Sequence, residues 1–257
     1  MACALVVAVC AAPGLVGCAT PRGPAATRDQ LLAARAHYPA HWWAPVSREG
    51  APEWEILPHE AGPGEVIVSK RHELGLLSNF ASTPFTFRGR RYASLEGFWQ
   101  MMLYPEGPDD PRATFPGLAW AHTRDEVGQM TAFEAKAAGT LAEQNMARMG
   151  ITWVSFEGSR FEYRPRTPGT HYALIVAAMR AKVRQNDDVR RVLLATGDLV
   201  LRPDHHEEAD APDAWKYCRI LMQLRAELRG ADRDVVTASP ASRVAVSSRA
   251  VCTRWPG

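Results

Sequence analysis

The sequence predicts an α+β fold that is mainly α-helical and contains only small β-hairpin elements. Apolar residues recur at helical spacing in several segments of the second half of the chain. Two other segments alternate aromatic and polar residues around a glycine turn, which is the pattern of a hairpin. The composition, 46% hydrophobic and 23% charged over 257 residues, is typical of one sizeable globular domain with appendages.

Residues 1–17 form an apolar stretch that ends in small residues and is too short to span a membrane. This pattern predicts a secretory signal peptide, although no Lys or Arg precedes the apolar run. The alternative is a frayed amino terminus or a buried apolar strand. Leu15-Val16-Gly17-Cys18 resembles a bacterial lipobox, which implies that Cys18 is acylated. We therefore expect a lipid-anchored protein of the bacterial cell envelope, facing the periplasm or exterior, or a cytoplasmic protein if the start is misassigned.

Residues 18–64 are rich in Pro, Ala and Arg and predict a tether. Within it, a short helix is expected to begin at Thr27, with Gln30 at the capping-box position. Residues 231–257 have no sustained period and predict a flexible tail, which leaves residues 65–230 as the folded domain. After signal removal and acylation, the thiols that remain are Cys218 and Cys252, and we expect both to be free.

The first half of the domain is predicted to hold most of the β-structure. EVIVSK predicts a strand, and FTFRGRRY predicts a hairpin that turns at Gly89. Thr123 and Glu126 form a capping box at a helix start. The Ala-rich residues 131–149 predict a helix that is interrupted or bent near Gly139, and WVSFEGSRFEYRP predicts a second hairpin.

The remaining segments predict three helices. The first begins at Thr170, the second follows Asn186 and stops at Gly197, and the third ends before Gly230. Their expected core positions are Tyr172, Ile175, Val176, Met179, Val183, Ile220, Leu221, Leu224 and Leu228.

An acid stands inside the apolar run YASLEGFWQ, residues 92–100. Ser94 is a good N-cap, so Glu96 is predicted to be the second residue of a helix, with Gln100 one turn later on the same face. The dipole of the first turn favours an ionised carboxylate by roughly 0.3–1 kcal/mol. We therefore expect a charged group that suits a nucleophile, a general base or a fixed negative charge better than a proton donor. The alternative is that Glu96 is an ordinary acidic residue of the first helical turn with no catalytic role.

The surrounding residues 74–100, LGLLSNFASTPFTFRGRRYASLEGFWQ, contain a Ser-Asn-Phe turn, a Pro-containing hairpin and a Tyr-x-x-x-Glu-x-aromatic-aromatic-Gln helix. This combination resembles the NADAR (YbiA-like) N-glycosidase family. The matching positions are Ser78, Asn79, Phe80, Pro84, Gly89, Tyr92, Glu96, Phe98, Trp99 and Gln100. MRAKVRQNDDVRRVLLATGD, the pair Asp213 and Trp215, and ILMQLRAEL extend the resemblance over residues 66–228.

The resemblance implies a compact, mostly helical YbiA-like fold that hydrolyses the N-glycosidic bond between ribose and a base or amine, with no metal or cofactor. Its substrates would be small-molecule nucleotides, such as ADP-ribosylated guanine or a phosphorylated riboflavin-pathway intermediate. It implies that Glu96 is the catalytic carboxylate and that Asp213 assists it. The implied substrate-binding residues are Ser78, Asn79, Phe80, Trp99, Gln100 and Trp215. A carboxylate beside the ribose would stabilise its oxocarbenium character or activate water.

The chain departs from the family pattern at Gly97, where the family usually has His, and at Leu103, where it often has Lys. The Gly-rich loop that usually follows the late Trp is replaced by KYC. If the chemistry needs the missing amine, Lys136 or Lys182 would supply it. These departures favour a second hypothesis, a membrane-tethered nucleotide- or ADP-ribose-binding lipoprotein without turnover.

Charge and metal-ligand patterns exclude other classes. The net charge is only +2 with both signs scattered, so no stable nucleic-acid complex is expected. DHHEEAD, residues 204–210, contains metal-ligating residue types, but its spacing matches no closed zinc site and predicts a solvated loop.

Overall fold

Helices and short strands alternate in the structure, a computed structural model that describes residues 26–237, with side chains to residue 231. The α-helices of this part are α1 Arg28–Ala34, α2 Leu95–Met101, α3 Arg124–Gly128, α4 Ala132–Met149, α5 Thr170–Gln185, α6 Asp187–Ala195 and α7 Tyr217–Thr237. Its strands are β1 Glu65–Ile67, β2 Phe85–Phe87, β3 Arg90–Tyr92, β4 Trp153–Phe156, β5 Ser159–Glu162 and β6 Val200–Arg202. The fold is α+β and mainly helical, as predicted.

Several predictions for the two ends of the chain concern residues outside the described part. They are the signal peptide of residues 1–17, the acylation of Cys18, the thiol of Cys252 and the tail beyond residue 237. Cys218 is described and is a buried free thiol. Between residues 26 and 237, no helix is both long and apolar enough to cross a bilayer.

Both predicted hairpins are confirmed. Strands β2 and β3 pair antiparallel around Gly89, and β4 and β5 pair antiparallel around Gly158, each glycine with a φ of 76°. A third pairing was not predicted: β1 pairs parallel with β6, with Val66 opposite Leu201. A three-residue strand is too short to reveal its period, so the sequence marks β1 but not its distant partner.

Residues 40–64 fold against the domain although the sequence assigned them to a tether. Trp42 and Leu57 are fully buried, and the Trp42 indole donates to the Glu73 carboxylate at 2.7 Å. The Glu55 carboxylate accepts from Arg71 through Nε at 2.7 Å and Nη2 at 2.6 Å. The folded unit therefore begins before residue 65. The sequence did not indicate this, because the average composition of this Pro-rich segment does not reveal a few anchoring side chains.

Two helices run through a glycine at which the sequence predicted an interruption or an end. Helix α4 is continuous through Gly139, and α7 runs past Gly230 to Thr237. Glycine lowers helix stability by about 1 kcal/mol relative to alanine, which packing readily offsets. The capping boxes at Thr27 and Thr123 are both present as predicted.

Helix α2 lies at the centre of the domain, and each of its residues is buried. Ser94 caps it by accepting from the Gly97 amide at 2.9 Å and donating to the Met130 carbonyl at 2.8 Å. A Cβ at Gly97 would meet the carbonyl oxygens of Met130 at 2.6 Å and Val127 at 2.9 Å. The backbones of α2 and α3 are therefore in direct contact, which fixes the position of Glu96.

Candidate active site

A cavity of about 370 Å³ opens beside α2 and contains Glu96. The predicted substrate-binding residues all line it: Ser78, Asn79, Phe80, Trp99, Gln100 and Trp215. The rest of its lining consists of Trp54, Lys70, Phe133, Lys136, Tyr163, His205 and Tyr217. The cavity thus combines a single carboxylate with several aromatic rings and a few cationic side chains.

Glu96 is 6% exposed and accepts from Gln100 Nε2 at 2.8 Å, one turn along α2 as predicted. Burial raises its pKa above the ordinary value, and the Gln100 hydrogen bond and the Lys136 charge offset this only in part. The sequence predicted that the helix dipole favours the ionised form, and this direction is wrong: burial makes the ionised form less favourable than in an exposed glutamate. The backbone amides of Glu96 and Gly97 bond to the Asn79 carbonyl and Ser94 Oγ, so the first turn offers the carboxylate little.

The turn that precedes α2 brings Ser78, Asn79 and Phe80 to the cavity. The Asn79 carbonyl accepts from the Glu96 amide at 3.0 Å, which ties this turn to the helix. Asn79 Oδ1 is buried and, among the described residues, has no hydrogen-bond donor. A buried acceptor without a partner needs an explanation, and a ligand hydroxyl in the cavity provides one.

Two tryptophans and a tyrosine form the interior aromatic wall of the cavity. The Trp99 and Trp215 rings meet edge to face at 4.8 Å, and Tyr163 meets Trp215 at 5.0 Å. The Trp99 indole donates to the Tyr163 hydroxyl at 3.1 Å, and burial raises the pKa of that phenol, so it stays protonated. Tyr163 belongs to the segment WVSFEGSRFEYRP that the sequence predicted as the second hairpin, and nothing in that pattern indicated its place in the site.

Asp204 holds the side chains of Lys70 and His205 at the cavity. It is buried, accepts from Lys70 Nζ at 2.5 Å and lies 3.2 Å from His205 Nδ1. Burial acts to raise the pKa of Asp204, but the hydrogen bonds with His205 and Lys70 bring it below its ordinary value. The solvated loop predicted for residues 204–210 is therefore wrong at Asp204 and His205. The described residues contain no group of three His, Cys, Asp or Glu side chains placed to hold a metal.

Asp213, the predicted assisting acid, is not part of the cavity lining. Its side chain is 39% exposed and accepts from Lys216 Nζ at 3.0 Å. The two lysines that were candidates for the missing amine lie in different places. Lys136 lines the cavity, whereas Lys182 is fully buried behind the turn and donates to the Ser78 carbonyl at 2.6 Å.

Comparison with known proteins adds a likeness of shape. No family model matches the chain, and no curated protein matches it. The solution structure of the Escherichia coli protein YbiA is similar with a TM-score of 0.43 and 17% sequence identity, over 74% of this chain and 96% of that protein. A likeness at this level assigns no activity, and the case for function rests on the cavity.

The departures at Gly97 and Leu103 lie away from the cavity. A side chain at position 97 would point at the carbonyl oxygens of α3 and Met130, and Leu103 is fully buried in the core. Neither residue lines the cavity. The sequence KYC, which replaces the Gly-rich loop, supplies Tyr217 to the lining.

Proposed function

We propose that this protein is a hydrolase that cleaves the N-glycosidic bond of an ADP-ribose or ribose-phosphate conjugate, such as ADP-ribosylated guanine or a riboflavin-pathway intermediate. The observation that carries the proposal is the buried Glu96 carboxylate in a cavity that also holds an aromatic wall and two lysines. Such a substrate has a planar base, a ribose that becomes cationic and an anionic phosphate. The cavity offers a complementary group to each.

In the proposed reaction, ionised Glu96 accepts a proton from a water molecule whose oxygen attacks C1′ of the ribose. The C1′–N bond breaks and its electron pair leaves with the base nitrogen, which then takes the proton from Glu96. One water is consumed, and the products are the free base and a ribose with a C1′ hydroxyl. The raised pKa of Glu96 makes it a stronger base for this proton transfer than an exposed glutamate.

The neighbouring groups support this assignment of roles. Gln100 orients the carboxylate through its 2.8 Å hydrogen bond, and the unpartnered Asn79 Oδ1, among the described residues, suits a ribose hydroxyl. The Trp99 and Trp215 faces suit the leaving base, a contact worth about 1–3 kcal/mol. The exposed placement of Asp213 gives no support for the assisting role that the resemblance implied.

Incubation of the purified protein with ADP-ribosylated guanosine and with phosphorylated N-ribosides tests the proposal by following release of guanosine from the first and of the free base from the second. We expect Glu96→Gln to lower the rate by at least about 100-fold while the substrate still binds. Glu162→Gln, which changes an exposed carboxylate on β5, is the matched control and should turn over like the wild type. Base release that persists in Glu96→Gln would exclude Glu96 as the base.

A second candidate is a membrane-tethered protein that binds nucleotide or ADP-ribose without turnover. It is favoured by one observation: Glu96 is the sole carboxylate among the described residues that line the cavity, whereas glycosidases usually employ a pair. Tight binding of these compounds by the wild-type protein, with no release of base over hours, would establish this function and refute the first.

A further inference from the structure

We infer that the cavity has a second stacking subsite at its mouth, formed by Trp54, Phe80 and Phe133, and that it takes a planar heteroaromatic ring distal to the scissile bond. The inference rests on the proposed function in placing that bond beside Glu96. It narrows the substrate class to conjugates in which a phosphate or pyrophosphate joins the ribose to a second planar ring. We call these three residues the mouth platform.

The rings of the mouth platform are in contact, and two of the three are exposed. Phe80 meets Phe133 edge to face at 5.1 Å, and Trp54 lies 6.3 Å from Phe133. Trp54 is 44% exposed and Phe133 is 60% exposed, although each carries a large apolar surface. Contiguous exposed aromatic surface beside a cavity marks a binding site, because leaving it in water is unfavourable.

The mouth platform is separate from the interior wall of Trp99, Trp215 and Tyr163. Within the described part of the chain, ring contacts join the members of each set, but none joins one set to the other. One cavity therefore presents two aromatic surfaces. A ligand with a single base would use one of them, whereas a ligand with a planar group at each end uses both.

Trp54 comes from the segment that the sequence assigned to a tether, and this segment is firmly held. The adjacent Glu55 is buried in its two hydrogen bonds with Arg71, and it also forms a β-bridge with His205. The Ile56 amide donates to the Asp204 carbonyl at 2.9 Å. Trp54 is thus fixed to the loop of Asp204, which also positions Lys70 and His205, so Trp54 belongs to a preformed surface.

Positive charge lies next to the mouth platform. Lys70 Nζ is 5.8 Å from the centre of the Trp54 ring and 5.2 Å from that of Phe80. Lys136 follows Phe133 by three residues on α4, so both side chains occupy one face of the helix. A phosphate bound by these lysines would be adjacent to a ring stacked on the mouth platform, which is why we assign the distal group to a nucleotide and not to an uncharged aromatic.

Equilibrium titration with ADP-ribose and with ribose 5-phosphate tests the inference without requiring turnover. We expect Trp54→Ala to weaken ADP-ribose binding by roughly 5- to 100-fold, since base stacking contributes this much. The affinity for ribose 5-phosphate should change by less than about two-fold. Trp54→Phe should restore most of the ADP-ribose affinity. Phe115→Ala removes a ring that is 38% exposed and outside the cavity lining, and should leave both affinities unchanged.

If Trp54→Ala lowers the affinity for both ligands equally, or does not lower the affinity for ADP-ribose, the mouth platform is not a stacking subsite. Thermal melting of each variant shows whether the segment around Glu55 still folds. Because the titration measures binding alone, it separates the two proposals. A selective effect of Trp54→Ala in a protein that releases no base would refute the hydrolase while leaving the subsite intact. Base release by the wild-type protein, without a selective loss of ADP-ribose affinity in Trp54→Ala, would support the hydrolase and refute the subsite.

Discussion

Replacing Gly139 by alanine should destabilise the protein, although the same change elsewhere in a helix should stabilise it. A Cβ at Gly139 would lie 1.8 Å from Oε1 and 2.3 Å from Cδ of Gln100. Gln100 is buried and held by its hydrogen bond to Glu96, so its amide moves away only if that bond breaks. Gly230, in α7, is the matched control because a Cβ there meets nothing within 4 Å.

The expected magnitudes follow from two opposing effects. Alanine in place of a helical glycine stabilises by about 1 kcal/mol, and Gly230→Ala should gain all of this. Gly139→Ala gains the same amount but loses a buried hydrogen bond to a carboxylate, which costs about 1.5–3 kcal/mol. The variant should therefore be less stable than wild type by about 0.5–2 kcal/mol. The two variants should differ by about 3–12 °C in Tm for a protein of this size.

Thermal and urea unfolding measure the stability difference, and the pH profile of kcat/KM measures the effect on the site. The Gln100 hydrogen bond lowers the pKa of Glu96, so its loss should move the acid limb of the profile to higher pH. Equal stabilisation by Gly139→Ala and Gly230→Ala, with an unchanged acid limb, would show that Gln100 is not seated against Gly139.

Three further outcomes are expected. Burial lowers the pKa of Lys182 to about 7, so between pH 7 and 10.5 the unfolded chain binds more protons than the folded protein. The stability of wild type relative to Lys182→Met, measured by urea titration, should therefore rise with pH across this range. Stability curves that stay parallel for the two proteins would refute this. The Lys136 charge lowers the pKa of Glu96, so Lys136→Met should move the acid limb of kcat/KM upward. Lys136→Arg should restore it, and an acid limb that does not move in Lys136→Met would refute this. Cys18→Ala should abolish incorporation of labelled palmitate in bacteria; labelling that persists would disprove acylation at that residue.

Signals that involve neighbouring residues could be predicted from the sequence. The Ser94 cap, the hairpin turn at Gly89 and the Glu96–Gln100 pair each depend on residues within a few positions of one another. The run of residues 78–100 contains most of the predicted site, so a local resemblance also identified the cavity's central residues.

Long-range arrangement could not be predicted in the same way. Trp54 and His205 reach the cavity because their segments meet through the bridge between Glu55 and His205, which the average composition of neither segment indicates. The direction of the Glu96 pKa shift was predicted wrongly for a related reason. The position of Glu96 in the helix can be predicted from neighbouring residues. Its burial cannot, and neither can the hydrogen bonds by which the Asn79 carbonyl and Ser94 Oγ already occupy the amides of the first turn.

The position of Glu96 is hard to explain as structure alone. An acid whose pKa is raised by burial destabilises the fold above its unfolded pKa, by about 1.4 kcal/mol for each pH unit of the shift. An apolar residue would remove this penalty. The chain instead keeps a glycine at 139 that leaves room for Gln100, and Gln100 bonds the carboxylate. Three residues on two helices thus maintain a group that weakens the fold, and such arrangements are concentrated at functional sites.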